Sequence, residues 1–169
     1  MLSSLKTVRS PYVLRTVYFT CLRVHLRYVL TLWGGDPESI RIFWLQKEVL
    51  RMISKPGRHD FCRNIFKDLN ILPVPCLYIS EVVCFVKSNM EKMKCNEVQD
   101  HCTRQTSDLH TQFCRTTLFK NSSANSGIKL YNKLPNTIKR LDKIQEFKIR
   151  LKYFLPQHIF YSVDECMSS

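Results

Sequence analysis

The chain has 169 residues, 44% of them apolar, and its 26 Lys plus Arg against 14 Asp plus Glu give a formal charge of +12. That apolar share supports a packed core and excludes wholesale disorder, and the length fits one domain or a compact piece of one. The excess of positive charge points towards phosphate polyanions, whose hold on such a surface weakens as salt rises.

Residues 1–35 carry Lys6, Arg9, Arg15, Arg23 and Arg27 and no acid. A secretory leader is not expected, because Lys6, Arg9 and Arg15 interrupt the apolar run. A membrane span is not expected either. The greasiest stretch, residues 12–33, holds Arg15, Arg23, His25 and Arg27, and a central arginine costs roughly 2.5–3.5 kcal/mol on insertion. The eight cysteines are read as reduced thiols used as small apolar side chains, in an intracellular setting, nucleus or cytoplasm.

Residues 12–32 are predicted to form a helix with Val13, Val17, Cys21, Val24, Tyr28 and Leu32 as its inner stripe. Gly34-Gly35 stops it. Asp36 then N-caps a second helix with Pro37 at its first position, running to about residue 53. Its expected face is Ile40, Phe43, Trp44, the stem of Lys47, Leu50 and Ile53, and Pro56-Gly57 ends it. The pair reads as an αα-hairpin with Trp33 and Trp44 in its core.

A shorter helix over 61–69 presents Ile65, Phe66 and Leu69 and stops at Asn70. Pro73 and Pro75 bracket an extended step, and Pro75 opens a helix to about residue 88 that buries Leu77, Tyr78, Val82, Phe85 and Val86. A β-strand competes over 77–86, but Pro75 and the length favour the helix.

Residues 89–125 are polar and read as a long connection, with room for one short strand or β-hairpin around 112–119 and a Ser/Asn turn region at 121–126. Ile128, Tyr131 and Leu134 then line a short helix that closes at Pro135. Asp142 is expected to cap the last helix, with Gln145 completing a capping-box-like pattern. That helix buries Ile144, Phe147, Leu151 and Phe154 and ends at Pro156. The expected fold class is mainly α: a helical hairpin plus further amphipathic helices. It divides into a helical region at 1–88, the polar connection at 89–125 and a basic helical region at 126–169.

Catalytic signatures are missing from the sequence. It has no adjacent Asp pair, no Gly-rich phosphate loop and no nucleophile elbow. Cys95, His101, Cys102, His110 and Cys114 are suitable zinc-ligand types, but no C-x2-C or H-x3-H pair appears, so no metal or cofactor is expected. The stronger feature is a basic set in the tail: Lys129, Lys133, Lys139, Arg140, Lys143, Lys148, Arg150 and Lys152, opposed only by Asp142 and Glu146. Lys148 and Lys152 lie one turn apart, and Tyr131 and Tyr153 are placed to stack on bases. The set is read as contacting RNA or DNA backbone, with no small-molecule substrate; a plain solvated helix face is the competing reading.

Several segments taken in order carry a resemblance. They are YFTCLRVHLRYVLTLWGG at 18–35, IFWLQKEVLRMI at 42–53, CRNIFKDLNILPVPCLYI at 62–79, Thr103-Arg104, GIKLYNKLP at 127–135, FKIRLKYFL at 147–155 and FYSVDE at 160–165. This series resembles the C-terminal part of reverse transcriptases from jockey-like non-LTR retrotransposons, over nearly the whole chain. The resemblance implies the helical thumb and downstream region of an RNA-directed DNA polymerase, holding template–primer by its backbone and bracing the polymerase core. The metal-binding aspartates of such enzymes belong to a palm that would lie N-terminal to these segments. The resemblance therefore carries no catalytic residue onto this sequence, and any divalent metal would be the palm's. A beginning at Met1 just ahead of these elements suggests a truncated copy or gene fragment. A reading from another class is a non-catalytic helical protein-interaction module whose apolar faces dock on a missing partner such as that palm.

Overall fold

The structure, a computed structural model, describes residues 11–27, 30–54, 62–90, 109, 115–116 and 122–168. Its elements are α1 (Pro11–Val17), a π-helical turn (Tyr18–Leu22), α2 (Arg23–Arg27), α3 (Leu30–Trp33), α4 (Ser39–Ser54), α5 (Cys62–Asp68), α6 (Val74–Ser88), α7 (Ser123–Lys133), α8 (Asn136–Lys139), α9 (Ile144–His158) and α10 (Val163–Ser168). The fold is mainly α, with no strand among the described residues. The hairpin expected around 112–119 lies outside the described residues, except for Arg115 and Thr116, which form a bend.

A helix apolar over most of its circumference must be covered on more than one side. α6 is such a helix, with Ser80, Glu81, Phe85 and Ser88 left on its open side. Val74, Leu77, Tyr78 and Val82 join a cluster with Tyr18, Leu26, Leu30, Phe43, Leu50 and Phe66. Cys76, Ile79, Val83 and Val86 join a second cluster with Leu130, Tyr131, Phe147, Leu151 and Leu155. Pro75 sits in its first turn, where a missing N–H is no loss. Phe85 departs from expectation: it is 46% exposed, near the C-terminal end of the helix.

Gln46, 1% exposed, is the polar centre of the first cluster. Its amide nitrogen donates to the Tyr18 hydroxyl at 2.7 Å and the Leu72 carbonyl at 2.9 Å, and its oxygen accepts from the Val74 amide at 2.8 Å. Asp36 stands three residues ahead of α4, which begins at Ser39, so the expected cap with Pro37 as first helical residue is not formed; its side chain accepts from the Glu38 amide at 2.9 Å in the turn that leads in. α5 ends in a Schellman turn: Ile71 N–H reaches the Phe66 carbonyl and Asn70 N–H the Lys67 carbonyl, both at 2.9 Å. Asn70 takes φ +50°, a backbone state that asparagine tolerates.

Some expected faces are wrong. On the first helix Val24 and Leu32 are 60% and 76% exposed, Val13 and Cys21 are exposed too, and the buried set is Tyr18, Leu26 and Leu30. Tyr28 lies outside the described residues. Steps of four overshoot a 3.6-residue turn by roughly 40° each. A uniform α-helix would therefore rotate Leu26 by roughly 80° from Tyr18, and the wider π turn between them takes up the difference. On α4, Phe43 and Leu50 are buried as expected, whereas Trp44 is 58% exposed and Ile40 is exposed. Gln46 and Val49 occupy the buried stripe instead. Lys47 is half-buried, and its ammonium lies 4.1 Å from the Phe43 ring centre and 4.4 Å from that of Tyr161. Trp33 is partly buried against the first cluster.

Of the turn region expected at 121–126, residue 121 lies outside the described residues and the rest is not a turn, because α7 begins at Ser123. The Ser122 hydroxyl accepts from the Asn125 amide at 3.4 Å and caps it. α7 crosses α6 so closely at Gly127 that a Cβ there would lie 2.6 Å from Val82 Cγ1 and 2.7 Å from Val86 Cγ2. α7 ends before Pro135, as expected, and an unforeseen α8 follows. The N-cap of α9 is Lys143, with no side-chain cap, so Asp142 stands one residue too early to serve. Pro156 lies inside α9, which continues to His158. The bond it forfeits would go to the carbonyl of Lys152, an exposed residue. Ile144 and Phe154 are half-buried, and Leu155 joins Phe147 and Leu151 in the core.

Candidate nucleic-acid interface

Phe147, Leu151 and Leu155 fix the rotation of α9 by packing into the second cluster. Lys148 and Lys152, each one residue further on, then emerge at the edge of the helix beside α6. α2 emerges on the other side of α6. Its Arg23 guanidinium lies 5.0 Å from the Phe19 ring centre, and Arg27 forms an ion pair with Glu81 of α6.

Between them runs a groove of about 420 Å³. Arg23, Arg27, Lys148 and Lys152 line it together with Thr31, and its floor is Leu72, Leu77, Ser80, Glu81, Cys84, Phe85 and Ser88. Four cations against one carboxylate leave a lining charge of +3. Burial, then the neighbouring Arg27, lowers the Arg23 pKa, so an anion placed here would relieve repulsion already present. Burial likewise pushes the Cys84 thiol up, which leaves it neutral in the groove.

The structure distributes the tail set over several places. Only Lys148 and Lys152 line this groove. Lys129 lines a separate cavity of about 470 Å³ that also holds Asp36 and Asp164. Lys133, Arg140, Lys143 and Arg150 are exposed, with Lys143 3.6 Å from Glu146. Lys139 is different, being 8% exposed. Its ammonium donates to the Asn132 carbonyl, and its own carbonyl accepts from the Tyr131 hydroxyl at 3.4 Å and the Lys87 ammonium at 3.3 Å. It closes the junction of α7 and α8 rather than facing a ligand. Tyr131 is buried and stacks on Phe147, with ring centres 6.2 Å apart, so it offers no face to a base. Tyr153 is exposed, but sits about 140° round α9 from Lys148.

Sequence reasoning missed Arg23, Arg27 and Phe85 as site residues. Two arginines four apart in an acid-free stretch could have signalled the first pair; nothing in the sequence separates Phe85 from its buried neighbours.

No family model matches the chain, and neither does any curated protein or solved structure.

Among the described residues, no group of three or more His, Cys, Asp or Glu could hold a metal ion. Cys95, His101, Cys102, His110 and Cys114 lie outside them. Cys21, Cys62, Cys76, Cys84 and Cys166 are free thiols. Burial pushes Cys76 up to about 12, its sulfur meeting the Phe160 amide at 3.2 Å and carbonyl at 3.4 Å. No helix among the described residues is long and apolar enough to cross a membrane.

Proposed function

We propose that this chain binds RNA or DNA through the phosphate backbone without catalysing a reaction, as a thumb and downstream region like that of a non-LTR retrotransposon reverse transcriptase. The observation that carries the reading is the pair of cationic walls, Arg23 with Arg27 and Lys148 with Lys152, facing each other across α6. Exposed Lys133, Arg140, Lys143 and Arg150 add non-specific attraction around it.

The test is fluorescence anisotropy with labelled RNA and DNA at salt between about 50 and 200 mM. Log K falls linearly with log salt, by about 0.9 per phosphate neutralised on duplex DNA and about 0.7 on a single strand. Reversing the charge of Arg140, Lys143, Lys148 and Lys152 together abolishes binding. Lys139 is spared so that folding is not disturbed. Unchanged affinity in that variant removes the reading.

A second reading, a protein-docking module, draws on exposed Ile40, Trp44 and Leu45 along α4. Concentration-dependent gel filtration and hydrophobic-dye binding, both reduced by Trp44→Gln, would favour it.

A further inference from the structure

We infer that the groove between α2 and α9 takes a single nucleic-acid strand in preference to a duplex, with Phe85 as the platform for one stacked base. This inference rests on the phosphate-backbone reading above, not on the likeness to a polymerase thumb that holds a template–primer duplex, and adds the form of ligand and the groove's floor. A cavity of about 420 Å³ is of small-ligand size. A duplex, whose major groove alone is about 12 Å wide, would touch only the rims. An extended strand can enter.

Cation spacing agrees. Arg23 and Arg27 lie four residues apart on one helix, and Lys148 and Lys152 four apart on another, a rise of about 6 Å in each case. That interval suits successive phosphates of an extended strand. Phe85 supplies the apolar component. It is a large aromatic left 46% exposed on a helix whose other large apolar residues are buried, and it lies on the floor between the charged walls. Aromatic side chains in basic grooves are sequence-tolerant stacking platforms, because every base has a π face.

Glu81 sets the affinity. Its carboxylate holds Arg27, so a phosphate entering the groove must compete for that guanidinium. Removing the negative charge frees Arg27 and tightens binding, which a merely structural ion pair would not predict.

The experiment compares a labelled oligothymidylate of about 12 nucleotides with a duplex of equal length, all variants being checked for native circular dichroism and melting. The expected result is preference for the single strand. Phe85→Ala then loses roughly tenfold on the single strand and nothing on the duplex. Lys148→Gln with Lys152→Gln lowers the single-strand salt slope by about 1.4, two phosphates at about 0.7 each, and Glu81→Gln tightens binding several-fold. Duplex preference overturns the inference, as does an unaltered single-strand affinity in Phe85→Ala. If duplex binding survives and responds only to Arg140, Lys143 and Arg150, the nucleic-acid reading stands and the groove proposal fails. If wild-type protein binds neither probe, both fall.

Discussion

The side-chain amide of Gln46 donates to the Tyr18 hydroxyl at 2.7 Å, joining two residues 28 positions apart inside the apolar core. With the Leu72 carbonyl and the Val74 amide also bonded, it ties the π turn, α4 and the start of α6 to one point. Gln46→Leu fills similar space but leaves these buried groups without partners. The expected cost is about 2–4 kcal/mol of unfolding free energy, measured by urea titration followed by circular dichroism.

Gly127 permits the crossing of α7 over α6. Gly127→Ala places a methyl 2.6 Å from Val82 Cγ1 and 2.7 Å from Val86 Cγ2, so that both buried valines must shift, and destabilises by about 1–3 kcal/mol. Val82→Ala restores part of the loss in the double variant, since it vacates the contested volume. A thermodynamic cycle on the four proteins reads that coupling.

Lys139 and Arg140 are adjacent in sequence and opposite in role. Lys139→Ala removes a charged donor from the Asn132 carbonyl and lowers stability by about 1.5–3 kcal/mol, with the salt slope of nucleic-acid binding unchanged. Arg140→Ala leaves stability within about 0.5 kcal/mol. Paired melting and anisotropy measurements separate the two.

Glu165 makes stability depend on acid. Burial works against its ionisation, but the Tyr161 amide, which donates to it at 2.6 Å, and the Arg63 guanidinium outweigh this and hold its pKa below the ordinary value of 4.5. A depressed carboxyl stabilises the fold above its unfolded pKa, and that contribution disappears as pH falls through the folded one. Stability therefore declines from about pH 4.5 downwards. Glu165→Gln costs about 0.5–1 kcal/mol at neutral pH, the pair being partly solvated. It also flattens that decline in a series of urea titrations.

Packing accounts for much of two of the segments that carry the resemblance. In residues 66–79, Phe66 and Ile71 are core, Asn70 makes the left-handed turn, Val74 bonds Gln46 and Cys76 bonds Phe160. In 127–135, Gly127 permits a crossing, Tyr131 is core, and Asn132 exchanges 2.9 Å bonds with the backbone of Leu109. Most helix positions and several stops were legible because proline, glycine and asparagine act locally, but the start of α7, the whole of α8 and the run of α9 through Pro156 were not. Faces were less so: Phe43 and Trp44 differ by one step on the helix, and it is Phe66 and Tyr161, distant in sequence, that cover Phe43. The π turn has no local signature, so the inner stripe before Gly34 was misread. The groove was half legible. Lys148 and Lys152 followed from spacing, whereas their pairing with Arg23 and Arg27 depends on elements 121 or more positions away in sequence.

α6 is wall to both apolar clusters, so neither half of the chain keeps an interior once that helix is lost. Heat or denaturant has to part the two together, and the melt is a single cooperative step. The floor of the charged groove belongs to the same rod. Whatever grips the groove therefore stabilises both clusters at once.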